Sequence, residues 1–182
     1  MGGDRPKQYL TIGGRPILEH TLRRLAESPA IDSVTPVVAA DDPFWSEVAA
    51  GLSDLYAITP AAVGGEERPD SVANGLASLP AGEEDELVLV HDAVRPCVTD
   101  AEIAAVVEAA REHGGAILAV PVADTLKRVD AEGHIEATVD RSTLWRAQTP
   151  QVFRRAILEE AVAAARAGDA PAATDESRLV EA

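Results

Sequence analysis

The chain has 182 residues, 46% hydrophobic, 26% charged and only 3% aromatic, enough for one domain whose core is built from Ala, Val, Leu and Ile. Its net charge of −15 argues against a nucleic-acid or anionic-membrane surface, while a few cations focused in a cleft still allow a small anionic substrate. One cysteine, Cys97, excludes an internal disulfide, and neither a membrane-length apolar run nor a signal peptide is visible, so a cytoplasmic protein is expected.

Residues 16–28 place Pro16 in a first turn and repeat Ile17, Leu18, Thr21, Leu22 and Leu25 at helical spacing. Residues 33–40 (SVTPVVAA) read as a short strand that Pro36 puts near an edge. A weak helix over 42–52 and a short extended piece near 56–59 follow. Residues 68–79 open a helix, with Asp70 or Ser71 near its start and Val72, Leu76 and Leu79 facing inward. The run Leu87, Val88, Leu89, Val90 reads as a buried strand of a parallel sheet. Thr99-Asp100-Ala101-Glu102 is a capping box that starts a helix ending at Gly114-Gly115. Residues 116–122 form the next strand, and the strand–helix alternation predicts a three-layer α/β/α sandwich.

Two short extended runs, 125–130 and 134–140, flank Ala131-Glu132-Gly133 and predict a β-hairpin, either a protruding arm or an edge ribbon. A helix from about 154 to 167 stops at Gly168, and another begins at about 174 and runs to 182. Thr149-Pro150-Gln151, taken by itself, reads as a turn.

Ligand crevices of α/β sheets lie beyond the carboxyl ends of the strands. The 87–90 strand delivers His91-Asp92-Ala93-Val94-Arg95-Pro96 to that place. Asp92 is suited to a divalent cation and Arg95 to forking onto a phosphate, although a strand-end turn with a solvated arginine explains the spacing equally well. Lys7, before the first helix, offers a point charge to a phosphate. The 64–72 segment, GGEERPDSV, is a glycine turn entering a helix, a form suited to an anion or a nucleotide edge. Thr125, Lys127 and Arg128 follow a strand, and Asp140-Arg141 follows the second hairpin run.

In this order the motifs carry a resemblance that none has alone. PKQYL (6–10), GG-x-x-R-x-DSV (64–72), HDAVRP (91–96), PVADTLKR (121–128), TVDR (138–141), LWRAQTPQVF (144–153) and TDES (174–177) together resemble the 2-C-methyl-D-erythritol 4-phosphate cytidylyltransferases of the non-mevalonate isoprenoid pathway. The resemblance spans essentially every residue. It implies a Rossmann-like nucleotidyltransferase fold over 1–182, with a mainly parallel sheet and a hairpin arm at about 122–147.

The resemblance further implies transfer of CMP from CTP to the sugar-alcohol phosphate with release of pyrophosphate, a divalent cation such as Mg²⁺, and a homodimer joined through the arm. Lys7 would stabilise the α-phosphate. Gly65, Glu66, Ser71 and Ala93 would line the cytidine site, with Arg68 supporting that turn. Asp92 would hold the metal. Arg95, Thr125, Arg141 and Thr149 would bind the acceptor phosphate, Arg141 reaching across from the partner's arm. Two alternatives remain at this point: a pentitol-phosphate (ribitol 5-phosphate) cytidylyltransferase with the same chemistry, and a non-catalytic remnant that dimerises or binds nucleotide weakly. Relative to the family pattern, an initial strand with its AAGxGxRM-type loop and closing strands with an NxKxT-like lysine are not among these residues. The family places that strand beside 87–90, so 182 residues alone are expected to be inactive and poorly stable.

Overall fold

A computed structural model describes residues 5–80, 82–83, 86–168 and 175–181. A 3-10 turn, Lys7–Tyr9, leads into a small hairpin of β1 (Thr11–Ile12) and β2 (Arg15–Pro16) that the periodicity did not signal. α1 (Ile17–Ala26) starts one residue later than expected, because Pro16 ends β2 and stands at the N-cap. Leu18, Leu22 and Leu25 are buried along its inner face.

β3 is only Val37–Val38, shorter than the expected 33–40, and pairs in parallel with β4 (Ala62–Val63) on the far side of α2 (Trp45–Gly51). Pro36 has no N–H to give, so upstream of it the pairing shrinks to a single parallel bridge between Val34 and Ile58. α3 (Arg68–Ser78) then leads to β5 (Leu87–Val90).

α4 (Asp100–His113) carries the expected capping box: Thr99 Oγ1 accepts the Glu102 N–H at 3.2 Å, and the Glu102 carboxylate accepts the Thr99 N–H at 2.8 Å. It stops at Gly114, whose φ of 85° suits glycine. β6 (Gly115–Pro121) follows, and β7 (Leu126–Val129) pairs antiparallel with β8 (Ile135–Val139) as the expected hairpin. β9 (Trp145–Arg154), α5 (Arg155–Ala167) and α6 (Glu176–Val180) complete the described elements. Thr174 and Ala182, the expected ends of the last helix, lie outside the described residues.

β9 corrects the turn expected at Thr149-Pro150-Gln151. It is a ten-residue strand lying between β5 and β6 and antiparallel to both. Pairing shifts from Ile117↔Gln151 to Ala119↔Ala147, so β9 spends extra residues opposite Leu118. That bulge takes up Pro150, which cannot donate to a ladder, and swings Thr149 out of register. β9 is the reversed strand: β5 and β6 both pair antiparallel with it and so run in the same direction as each other. β3–β4 is parallel, as expected of a mainly parallel sheet that takes in one strand returning directly from the hairpin without a crossover helix.

The α/β/α layering follows from strand alternation. Val88, Val90, Ile117 and Phe153 face Leu76 of α3, Leu158 and Val162 of α5 and Leu179 of α6. Leu87, Leu89, Ala116, Leu118 and Val152 face Val106 and Ala110 of α4. Among the described residues β5 is paired along one edge only. The other side opens onto a cavity of about 730 Å³ reached by Val34, Val72, Leu76 and Val88. No helix among the described residues is long and apolar enough to cross a membrane.

Candidate active site

Where β5 ends, the chain turns at His91-Asp92, and two neighbouring elements fix that turn. Asp92 N–H donates to Thr149 Oγ1 at 3.1 Å, the contact that the β9 bulge makes possible. Asp92 C=O accepts the Arg95 N–H at 3.1 Å, and the ring Nε2 of His91 lies 3.0 Å from the Arg95 carbonyl.

The Asp92 carboxylate lies between two guanidinium groups, with its side chain 26% exposed. Oδ2 accepts Arg95 Nε at 2.8 Å, and Oδ1 accepts Arg68 Nη1 at 3.3 Å. Burial pushes the Asp92 carboxyl up, but Arg95 and Arg68 outweigh it and hold the group below the ordinary carboxylate range. Burial lowers His91 below its usual value, favouring the neutral ring. Gln148 Oε1 accepts Arg95 Nη1, so a second contact fixes the orientation of that guanidinium.

The 64–72 turn converges on the same place. Gly65 N–H donates to Ser71 Oγ at 3.0 Å, closing the turn onto α3. A Cβ on Gly65 would stand 2.1 Å from Asp70 Cβ, so no side chain fits here. Capping does not account for Asp70 or Ser71: α3 starts at Arg68 with Glu67 as its N-cap, and Asp70 pairs with Arg166 at 3.0 Å. Arg68 turns back from the first helical position. Its Nε and Nη2 donate to the two carboxylate oxygens of Glu176 at 2.7 and 2.8 Å while Nη1 reaches Asp92.

Arg68, Asp92, Arg95 and Thr149 are thus one connected cluster, with Gly65 and Ser71 closing the turn that leads into the helix of Arg68. Ala93 follows Asp92, and its carbonyl accepts Thr21 Oγ1 at 2.8 Å. Glu66 is exposed on the turn and Lys7 is exposed on the N-terminal 3-10 turn. Thr125 and Arg141 are exposed at the two ends of the hairpin. No hydrogen bond or ion pair joins Lys7, Thr125 or Arg141 to the Asp92 cluster among the described residues.

Three members were not singled out from sequence. Glu176, 1% exposed, grips Arg68 from α6. Gln148 orients Arg95, and Gln151, also 1% exposed, binds the start of α6. Their motifs, TDES and LWRAQTPQVF, were legible, but a glutamate in a first helical turn ordinarily only complements the helix dipole.

The arrangement gathers two guanidinium groups, a carboxylate and a glycine turn beyond the carboxyl end of a strand, chemistry suited to phosphorylated ligands. The family model for 2-C-methyl-D-erythritol 4-phosphate cytidylyltransferase matches residues 1–182. The enzyme of that name from Vibrio vulnificus strain CMCP6 is 46% identical over 184 aligned positions, covering 100% of this chain and 76% of the relative. A crystal structure of a 4-diphosphocytidyl-2C-methyl-D-erythritol synthase superimposes with a TM-score of 0.82 at 41% identity, over 97% of this chain and 80% of that one. The synthase from Anaerococcus prevotii DSM 20548 gives 0.84 at 29% identity, over 97% and 75%. With a family match along its whole length, the chain belongs to the 2-C-methyl-D-erythritol 4-phosphate cytidylyltransferase family.

Proposed function

We propose that the protein transfers CMP from CTP to the phosphate of 2-C-methyl-D-erythritol 4-phosphate, forming 4-diphosphocytidyl-2-C-methyl-D-erythritol and pyrophosphate. The observation that carries this reading is the family match over residues 1–182, four of whose motifs (64–72, 91–96, 144–153 and 174–177) meet at the Asp92 cluster. The names of the matched relatives favour the methylerythritol acceptor over a pentitol phosphate, and an enzyme over a remnant.

The attacking phosphate oxygen is already anionic, so the site needs to position it and stabilise charge rather than supply a strong base. Arg95 and Thr149 are placed to orient the acceptor phosphate, and Gln148 and Asp92 hold the Arg95 guanidinium in one plane. Thr125 and Arg141 belong to the same acceptor role from the arm. The turn of Gly65, Glu66 and Ser71, with Ala93, takes the cytidine, and Lys7 counters charge on the α-phosphate.

Asp92 is the residue that would hold a divalent cation, its partly exposed carboxylate at the end of β5 being the kind of oxygen ligand a hard ion takes. No group of three or more His, Cys, Asp or Glu side chains suited to a metal occurs among the described residues. The fit is therefore one carboxylate plus the nucleotide's own phosphates, a common Mg²⁺ arrangement. When bound, the ion would neutralise charge on the triphosphate. The hairpin leaves Val129 51% and Ile135 66% exposed, which supports its use as a homodimer contact. Water-soluble phosphorylated substrates suit a cytoplasmic enzyme.

The test is pyrophosphate release from CTP with methylerythritol phosphate as acceptor, run beside ATP, GTP and ribitol 5-phosphate. Mg²⁺-dependent release specific to CTP and methylerythritol phosphate is expected. Equal turnover of ATP would overturn the cytidine assignment, and faster use of ribitol 5-phosphate would overturn the acceptor.

A further inference from the structure

Glu176 is the most deeply buried carboxylate of the site, at 1% exposure, and the reaction outlined above gives it no part. A buried carboxylate is costly unless its oxygens are well paired. Here both oxygens are taken by the fork of Arg68, at 2.7 and 2.8 Å, while the same guanidinium reaches Asp92 only at 3.3 Å. Arg68 is thus shared unequally between two carboxylates, and Glu176 has the larger share. The helix bearing Glu176 is itself held: Gln151 bonds Asp175 at 2.9 Å and the Ser177 N–H at 2.8 Å, and Leu179 is buried in the core.

We propose that Glu176 is a positioning residue that takes the Arg68 fork, so that Asp92 Oδ1 keeps only one long contact from Arg68, weak enough for a divalent cation to displace. Without the Glu176 charge, Arg68 forks fully onto Asp92, which Arg95 already occupies at Oδ2. The carboxylate is then neutralised from both sides and competes poorly for a cation. This rests on the reading of Asp92 as the cation's carboxylate.

The experiment measures Mn²⁺ binding by electron paramagnetic resonance in the presence of CTP without acceptor, on the parent protein and four variants. Thermal melts run alongside check folding. Glu176→Gln keeps the shape and removes the charge; it is expected to weaken Mn²⁺ binding roughly fivefold, the scale of one partly screened ion pair. Glu176→Asp keeps the charge and is expected to retain more of the binding. The pair Glu176→Gln with Arg68→Met removes the competing guanidinium and is expected to bring binding back towards the parent value. Should Glu176→Gln not fold, the double variant and Glu176→Asp decide the matter.

Parent-like Mn²⁺ binding in Glu176→Gln, or no recovery in the double variant, overturns the proposal and leaves Glu176 a structural ion pair. Asp92→Asn separates the two levels. If Asp92→Asn abolishes Mn²⁺ binding while Glu176→Gln does not alter it, only the positioning role falls. If Asp92→Asn binds Mn²⁺ normally, the metal reading falls and the positioning role falls with it.

Discussion

Gln151, at the centre of β9, holds Asp175 at the start of α6: its Nε2 donates to Asp175 Oδ2 at 2.9 Å while its Oε1 accepts the Ser177 N–H at 2.8 Å. One buried amide joins the central strand to the helix that carries Glu176. Gln151→Leu retains the volume and removes both bonds. Each polar group stranded in a buried setting costs about 1–3 kcal/mol, so a loss of that order is expected. Urea unfolding should show a lower midpoint with an unchanged slope. An unchanged midpoint would mean that α6 is seated by Leu179 alone.

Asp92→Asn keeps size and fold and removes the charge a hard cation requires. Turnover should collapse while the thermal midpoint moves little, since Asn still accepts from Arg95. Arg95→Lys should act differently and raise KM for the acceptor, because a point charge cannot reproduce a planar fork. Near-normal turnover of Asp92→Asn at saturating Mg²⁺ would return the segment to a plain strand-end turn.

Gly65→Ala tests the cytidine role proposed for the 64–72 turn. The added carbon meets Asp70 Cβ at a separation no real pair adopts, so the turn must open and its bond to Ser71 must break. KM for CTP should rise by about tenfold or more, the equivalent of roughly 1.4 kcal/mol, while acceptor KM stays close to its parent value. Equal effects on both substrates would show that the turn serves the whole site.

The parts of the fold legible in the sequence are those set by local chemistry. Thr99 and Glu102 announced the start of α4, Gly114 its end, and the apolar run at 87–90 announced β5. What was not legible depends on partners distant in sequence. Thr149-Pro150 has the composition of a turn and becomes strand interior only because the β9 bulge, between β5 and β6, absorbs the proline. Val37 and Val38 are the regular remainder of a longer apolar run, because Pro36 limits the ladder. In the site, Asp92, Arg95 and Arg68 carried recognisable chemistry in their motifs. Glu176 did not, since only the 108-residue return of α6 onto α3 turns a helix-start glutamate into the partner of Arg68.

The α4 cap gives a pH-dependent prediction. Hydrogen bonds from the Thr99 backbone and side chain hold Glu102 below its ordinary carboxyl value. A depressed folded-state value means stability that is present above the unfolded carboxyl range and lost as pH falls through the folded one. Thr99→Ala should cost about 1 kcal/mol near neutrality, and the gap to the parent should narrow on acidification below about pH 4. Urea midpoints across pH 3 to 7 measure it; a constant gap would assign the cap to the threonine hydroxyl alone.

The arm gives the last prediction. β7 and β8 pair with each other and carry exposed Val129 and Ile135, while Arg141, just after β8, is not joined to the Asp92 cluster among the described residues of its own chain. If a two-fold partner brings its Arg141 to this site, the functional unit is composite. Asp92→Asn and Arg141→Ala should each be nearly inactive alone. Mixed and allowed to exchange, they form heterodimers in which one of two sites draws its intact Asp92 from one protomer and its intact Arg141 from the other. With random exchange about a quarter of all sites are then intact, so about a quarter of parental turnover should return. Ile135→Asp, placing a charge in the apolar face of the arm, should shift the protein towards monomer in sedimentation and block that recovery. No recovery from the mixed variants, with heterodimers shown to form, would place Arg141 in the site of its own chain or outside the reaction.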